Sequence, residues 1–197
     1  MTSHELEEEF RRIQEHHREA LVLAVARMSL PGSITRVFRK GTKDTLLGTL
    51  VRLPVGEMTS LTDGDAFDRW YEARLETVAS AILRGNPDMP GSRIHPGYKW
   101  GHAAKILSVF LHNLVSYSRY FSDEDAARIE PLLHCPIDGI ILKRLKDIGA
   151  PQPWSLILQL DSPDRYRLLQ SELCVAAAAV GVPRVWLDDN WAIQERA

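Results

Sequence analysis

The chain has 197 residues, of which 45% are hydrophobic, and a formal net charge of −2 at neutral pH. This length and apolar content predict one domain with a buried core, and the near-balanced charge excludes the strongly basic class of indiscriminate nucleic-acid-binding proteins. The N-terminal segment is highly charged and no apolar run is long enough for a membrane helix, so we expect a soluble, cytoplasmic protein. Cys135 and Cys174 lack the spacing of a redox or metal motif and are expected to be reduced thiols, packed as small hydrophobes.

The first half of the chain is predicted to contain two long helices. Residues 2–5 have the spacing of a capping box, and the apolar residues that follow at helical intervals predict a helix to about Arg27. Residues 33–58 are rich in Thr, Val and Leu but do not alternate with period two, so short helices and loop are favoured over a sheet. The second long helix follows a cap at residues 62–65 and ends at Gly85.

The second half is also predicted to be helical. The strongest apolar periodicity in the chain covers residues 98–121, directly after a loop rich in proline and glycine. Ser122 opens a capping box, Pro136 is placed in the first turn of the next helix, and Ser162 begins a further one. Strand signals are few, so the predicted fold class is all-α, with residues 1–197 forming a single compact helical domain of two lobes.

Lys105 lies in the first turns of the helix predicted over residues 98–121. Polar residues follow it at His112, Ser116 and Arg119, so one interpretation is that Lys105 belongs to a solvated stripe. Its immediate neighbours, however, are apolar. A lysine amine held against apolar surface loses solvation and becomes a usable nucleophile, provided that a carboxylate lies nearby. Lys105 is therefore a candidate catalytic residue.

Asp138 is the best candidate for that carboxylate. It follows Pro136 at the start of a predicted helix, where free N–H groups and the positive end of the helix dipole favour a negative charge. By itself, an aspartate at this position is better explained as a residue that stabilises the helix start. The combination with Lys105, 33 residues earlier, is what indicates chemistry.

The two segments GYKWGHAAKILSVFL and HCPIDGIILKRL resemble the helix-hairpin-helix DNA glycosylases. In that family a glycine-bearing hairpin precedes a helix with a catalytic lysine, and a Pro-hydrophobic-Asp motif opens a later helix with a catalytic aspartate. The long interval between lysine and aspartate is similar to that of the archaeal 8-oxoguanine DNA glycosylase branch. The resemblance covers residues 96–145, and the two glycines of the segment, Gly97 and Gly101, stand four apart, which departs from the usual hairpin spacing.

The resemblance implies a base-excision DNA glycosylase, with AP-lyase activity, that acts as a monomer on double-stranded DNA bearing a damaged or modified base. It implies that Lys105 attacks the sugar and that Asp138 stabilises the positive charge that develops there. It also implies a DNA-binding or substrate-binding role for the residues around the hairpin, namely Gly97, Tyr98, Lys99, Trp100, Gly101 and His102. The chemistry requires no cofactor and no metal, and no histidine or cysteine has a metal-ligand spacing.

The alternative function is a helical module without catalysis that binds nucleic acid or a protein partner. Residues 93–146 contain eight basic and five acidic residues, and residues 33–58 are also locally positive. Two modest basic patches could neutralise a few phosphates in either function. Solvated helix faces would produce the same charge pattern, so the electrostatics do not decide between the two.

Overall fold

The computed structural model describes residues 3–85, 99–150, 154 and 156–194. These residues form nine α-helices and no strand: α1 (Ser3–Met28), α2 (Gly32–Thr35), α3 (Thr42–Val51), α4 (Gly64–Gly85), α5 (Lys99–His112), α6 (Asp123–Ile129), α7 (Gly139–Asp147), α8 (Pro163–Val180) and α9 (Trp186–Gln194). Short 3₁₀ turns lie at Val55–Ser60, Glu130–Leu132 and Ile157–Gln159, and a π-helical turn at Asn113–Tyr117 continues α5. The predicted all-α class is confirmed, as is the preference for short helices over a sheet in residues 33–58.

Helices α4 and α5 form the centre of the core. They pack against each other, α3 also packs on α4, and α7 packs on α9. Phe67, Tyr71 and Leu75 of α4 are fully buried, as are Leu107 and Phe110 of α5. The apolar periodicity of the two helices is therefore satisfied by one shared core, which holds α5 and its polar residues in a fixed orientation.

Local capping signals account for the start and end of α8. The Ser162 hydroxyl accepts a hydrogen bond from the Arg165 backbone N–H, and Pro163 occupies the first helical position, where a missing N–H is tolerated. At the other end Gly181 has a φ of 71°, a left-handed conformation that stops the helix. These signals depend on neighbouring residues only, so the sequence predicts the start correctly.

Two boundaries differ from the sequence prediction. Helix α7 begins at Gly139, so that Pro136 lies ahead of it and Asp138 is its N-cap residue. The periodic segment 98–121 does not form one helix, because the backbone widens into the π turn and leaves the helix at Ser118. Arg119 then has a φ of 57°, which is unusual for a residue with a side chain.

No helix in the described part of the chain combines the length and the apolar content needed to cross a bilayer.

Candidate active site

The Lys105 amine and the Asp138 carboxylate form an ion pair. Lys105 Nζ lies 3.0 Å from Asp138 Oδ2, and each side chain is 23% exposed. Helix α5 supplies the amine and the start of α7 supplies the carboxylate, which places two residues 33 positions apart in direct contact. The pair is shielded from bulk water but remains reachable from the surface, as a nucleophile must be.

The two oxygens of Asp138 have different partners. Oδ1 accepts hydrogen bonds from the backbone N–H groups of Ile140 at 2.8 Å and Ile141 at 3.1 Å. Oδ2 faces the Lys105 amine. The N-cap bonds orient the carboxylate, because both are made to the first turn of α7, and leave its second oxygen free to hold the lysine. The aspartate is thus a helix cap and an ion-pair partner at once, two roles that the sequence interpretation set against each other.

Gly101 allows a close contact at the start of α5, one turn before Lys105. A Cβ atom built on Gly101 would lie 2.2 Å from the carbonyl oxygen of Ile157 and 2.9 Å from its Cγ1 atom. Only glycine fits at this point without displacing the 157–159 turn. Gly101 lies within α5 and is buried against protein, while its role in DNA binding stays a prediction.

The other residues predicted to contact DNA or substrate lie at or near the start of α5. His102 is 8% exposed and its ring packs edge-on against Phe38, and its stacking on a base stays a prediction. Trp100 is half-buried and packs against the core. Lys99 is the first residue of α5, and Gly97 and Tyr98 lie outside the described residues. Base or phosphate contacts by Lys99, Trp100 and Tyr98 stay predictions.

A buried hydrogen-bond network supports α5 behind the ion pair. The Tyr71 hydroxyl donates to the Ala104 carbonyl at 3.0 Å and lies 2.8 Å from the Ser108 hydroxyl. The Tyr166 hydroxyl lies 2.9 Å from that of Tyr71 and 3.0 Å from His134 Nδ1. Helices α4, α5 and α8 are therefore tied to the segment that leads into Asp138, which holds Lys105 and Asp138 in register.

His134 is neutral at the end of this network. Burial lowers its pKa to about 4, although the hydrogen bond to Asp68 opposes the shift. Its Nε2 atom lies 2.7 Å from Asp68 Oδ1, and because that carboxylate can only accept, Nε2 carries the hydrogen of the neutral ring. A neutral imidazole held between Asp68 and the Tyr166 hydroxyl is a structural element of the core.

Asp188, in the first turn of α9, is a third ionisable group near the pair. Burial, followed by the negative charge of Asp138, raises its pKa to about 7, while the positive charge of Lys105 acts in the opposite direction. The neighbouring Asp189 faces elsewhere, and its carboxylate accepts a hydrogen bond from the Tyr117 hydroxyl at 2.6 Å. Sequence reasoning missed Asp188, because two adjacent aspartates near the start of a helix are ordinary and nothing local relates them to Lys105.

The two cysteines have different environments. Cys135 is fully buried, and burial raises the pKa of its thiol well above the usual value, so it is not a nucleophile. Cys174 is exposed on α8, and the prediction that both thiols are packed in the core is wrong for it. Cys174 lies outside the buried side of α8, which carries Leu169 and Leu173. Among the described residues no group of His, Cys, Asp or Glu could hold a metal ion.

Comparisons of the chain with protein-family models, with curated proteins and with solved structures found no match. The candidate site therefore has to be interpreted from its own geometry.

Proposed function

We propose that this protein is a DNA base-excision glycosylase with AP-lyase activity, with a fold of the helix-hairpin-helix glycosylase type and with Lys105 as its nucleophile. The observation that carries the proposal is the 3.0 Å contact between Lys105 Nζ and Asp138 Oδ2. The sequence resemblance requires these two residues to meet although 33 residues separate them. A lysine on a solvated stripe is expected to be more exposed than the 23% found for the Lys105 side chain.

The reaction assigned to this pair starts with extrusion of the target nucleotide, because the sugar carbon cannot be reached inside the base stack. The Lys105 amine attacks C1′ and the C1′–base bond breaks, with its electron pair leaving on the base. Asp138 stabilises the positive charge that develops on the sugar. Opening of the sugar ring leaves a Schiff base on Nζ, from which elimination of the 3′ phosphate cleaves the strand.

The partial burial of both side chains supports this proposal. In a low-dielectric environment the Asp138 charge acts on a developing cation more strongly than it would in water. The sequence between residues 93 and 146 contains an excess of basic residues, which fits a partner with a phosphate backbone and predicts salt-sensitive binding.

The test is covalent trapping with borohydride. Duplexes that carry an oxidised, deaminated or alkylated base or an abasic site are incubated with the protein, and the reductant converts the Schiff base into a stable adduct. We expect an adduct with the wild type and none with Lys105→Gln. Lys146→Gln is the matched control, since it removes an exposed lysine from α7 that takes no part in the ion pair.

The alternative, a binding module without catalysis, predicts a different result. It predicts that no lesion gives an adduct and that salt-sensitive DNA binding is the same in Lys105→Gln and the wild type. These two results together would overturn the proposed glycosylase activity.

A further inference from the structure

A groove lies where helix α1 leaves the protein core. Val22 and Ala26 of α1 are buried and the helix packs on α3, whereas every residue from Glu9 to Ala20 is exposed. Between α1 and residues 51–56, the chain that leaves α3, the groove has a volume of about 660 Å³. None of the described residues that line it belongs to the Lys105 site, so the groove is a separate feature of the molecule.

The inner surface of this groove is mainly apolar. Val22 and Leu23 line it from α1, Leu53 and Val55 line it from the chain after α3, and Tyr120 contributes a half-buried aromatic ring. Pockets of about 300–1,000 Å³ with apolar walls and a few polar groups are the usual binding sites of small molecules. The walls therefore favour a small ligand with an apolar body, because its surface is removed from water on binding.

Two arginines line the same groove without a charged partner. Arg18 belongs to α1, and Arg52 is the residue that follows α3. Neither side chain makes an ion pair or a hydrogen bond to another residue in the described part of the chain. Glu19 also lines the groove but is paired with neither arginine. A guanidinium is always charged and presents a fork of N–H donors that matches a carboxylate, so both arginines are available to an anion.

The charge of the groove indicates which anion fits. The two arginines and Glu19 leave one net positive charge when His16, which also lines the groove, is neutral. A ligand with a single negative charge neutralises this excess, whereas an uncharged apolar molecule leaves both guanidinium groups unpaired. Inorganic phosphate has no apolar body to cover the walls.

We propose that this groove binds a small organic acid, a carboxylate with an aliphatic or aromatic body, in addition to the function proposed for the Lys105 site. The apolar body lies against Leu53, Val55 and Tyr120, and the carboxylate accepts hydrogen bonds from Arg18 and Arg52.

The experiment is calorimetric titration of the full chain at neutral pH with three probes: octanoate, octan-1-ol and acetate. Octanoate has both the apolar body and the charge, octan-1-ol has only the body, and acetate has only the charge. Octanoate should bind most tightly. Octan-1-ol should bind at least about tenfold more weakly, because it lacks the charge-assisted hydrogen bonds. Acetate should bind at least about 100-fold more weakly, because it lacks the apolar chain.

Substitutions then locate the ligand. Arg18→Gln and Arg52→Gln should each weaken octanoate binding by about tenfold and leave octan-1-ol binding unchanged. Arg27→Gln is the matched control, because it removes an exposed arginine of α1 that is not among the described residues lining the groove. Ala20→Trp should abolish binding of both probes, since an indole at this exposed position of the wall fills the groove. Thermal unfolding of each variant verifies that it is folded.

Three results would overturn the proposal: no octanoate binding to the wild type, octan-1-ol binding as tight as that of octanoate, or octanoate binding that is unchanged in both arginine variants or in Ala20→Trp. None of them bears on the glycosylase, because Ala20→Trp leaves Lys105 and Asp138 in place and should give the same borohydride adduct as the wild type. Loss of the adduct in the wild type would, in turn, leave the groove proposal standing.

Discussion

The α-carbon of Gly101 faces the carbonyl oxygen of Ile157 so closely that an added methyl group would lie 2.2 Å from that oxygen. The two residues belong to α5 and to the 3₁₀ turn at Ile157–Gln159. Backbone atoms form this contact, so it cannot be relieved by a change of side-chain rotamer. The glycine thus determines how closely the chain before α8 approaches the helix that carries Lys105.

Gly101→Ala should therefore destabilise the protein although alanine is the better helix former. Separating the backbone of residue 157 from α5 is expected to lower the free energy of unfolding by about 1–3 kcal/mol, the usual range for overpacking. Urea denaturation measures the change. Gly139→Ala is the matched control, because a Cβ atom there meets nothing within 4 Å, and it should leave the protein as stable as before or more so. Equal effects of the two substitutions would contradict the assigned contact.

Two substitutions of Asp138 should separate its role as a helix cap from its role as a negative charge. Asp138→Ala removes the acceptor of the Ile140 and Ile141 N–H groups and is expected to cost about 1–2 kcal/mol from the lost cap alone. Asp138→Asn keeps an acceptor and should cost less. Both substitutions should abolish trapping by Lys105, because both remove the charge. Denaturation and trapping are measured on the same samples, and an Asn variant that traps as well as the wild type would argue against a catalytic charge at this position.

The buried His134 predicts a loss of stability in acid. Its pKa is lowered to about 4 in the folded protein, against an unfolded value of 6.5. Between these values the unfolded chain binds a proton that the folded chain does not, so this group lowers stability as the pH falls from 6.5 to 4. The loss is on the order of 3 kcal/mol. In His134→Gln this loss of stability should be absent when thermal unfolding is measured between pH 6.5 and pH 4. A variant whose stability falls with pH as steeply as that of the wild type would show that His134 is not the group responsible.

Asp188 predicts a change of stability with pH that runs in the opposite direction to that of His134. Its pKa is raised to about 7 in the folded protein, against an unfolded value of 3.8, so the folded protein binds the additional proton between these values. The stabilisation is fully present below about pH 4 and is lost as the pH rises through 7. Asp188→Asn should remove this loss, so that its stability relative to the wild type increases from pH 4 to pH 7. Denaturation at fixed temperature across that range provides the measurement, and a constant difference would contradict the raised pKa.

Local sequence signals were sufficient for much of the fold. The long helices α1 and α4, the start of α8 and the cap at Ser122 all follow from periodicity and capping within a few residues. Sequence reasoning places the start of α7 too early, because Pro136 is acceptable in a first helical turn. The helix begins only after Asp138, whose carboxylate bonds to the backbone N–H groups that follow it. The π turn after α5 had no local signal that could be distinguished from a continuing helix.

The sequence by itself determined the helical class, most helix boundaries and the identity of two candidate residues, because helix formation and capping depend on neighbours in the chain. Only the tertiary structure decided that Lys105 and Asp138 touch and that Gly101 serves packing. Each of these depends on residues 33 or more positions apart, or on separate helices packed through one core. The depth of burial that raises the pKa of Asp188 likewise exists only once α7 and α9 have packed together.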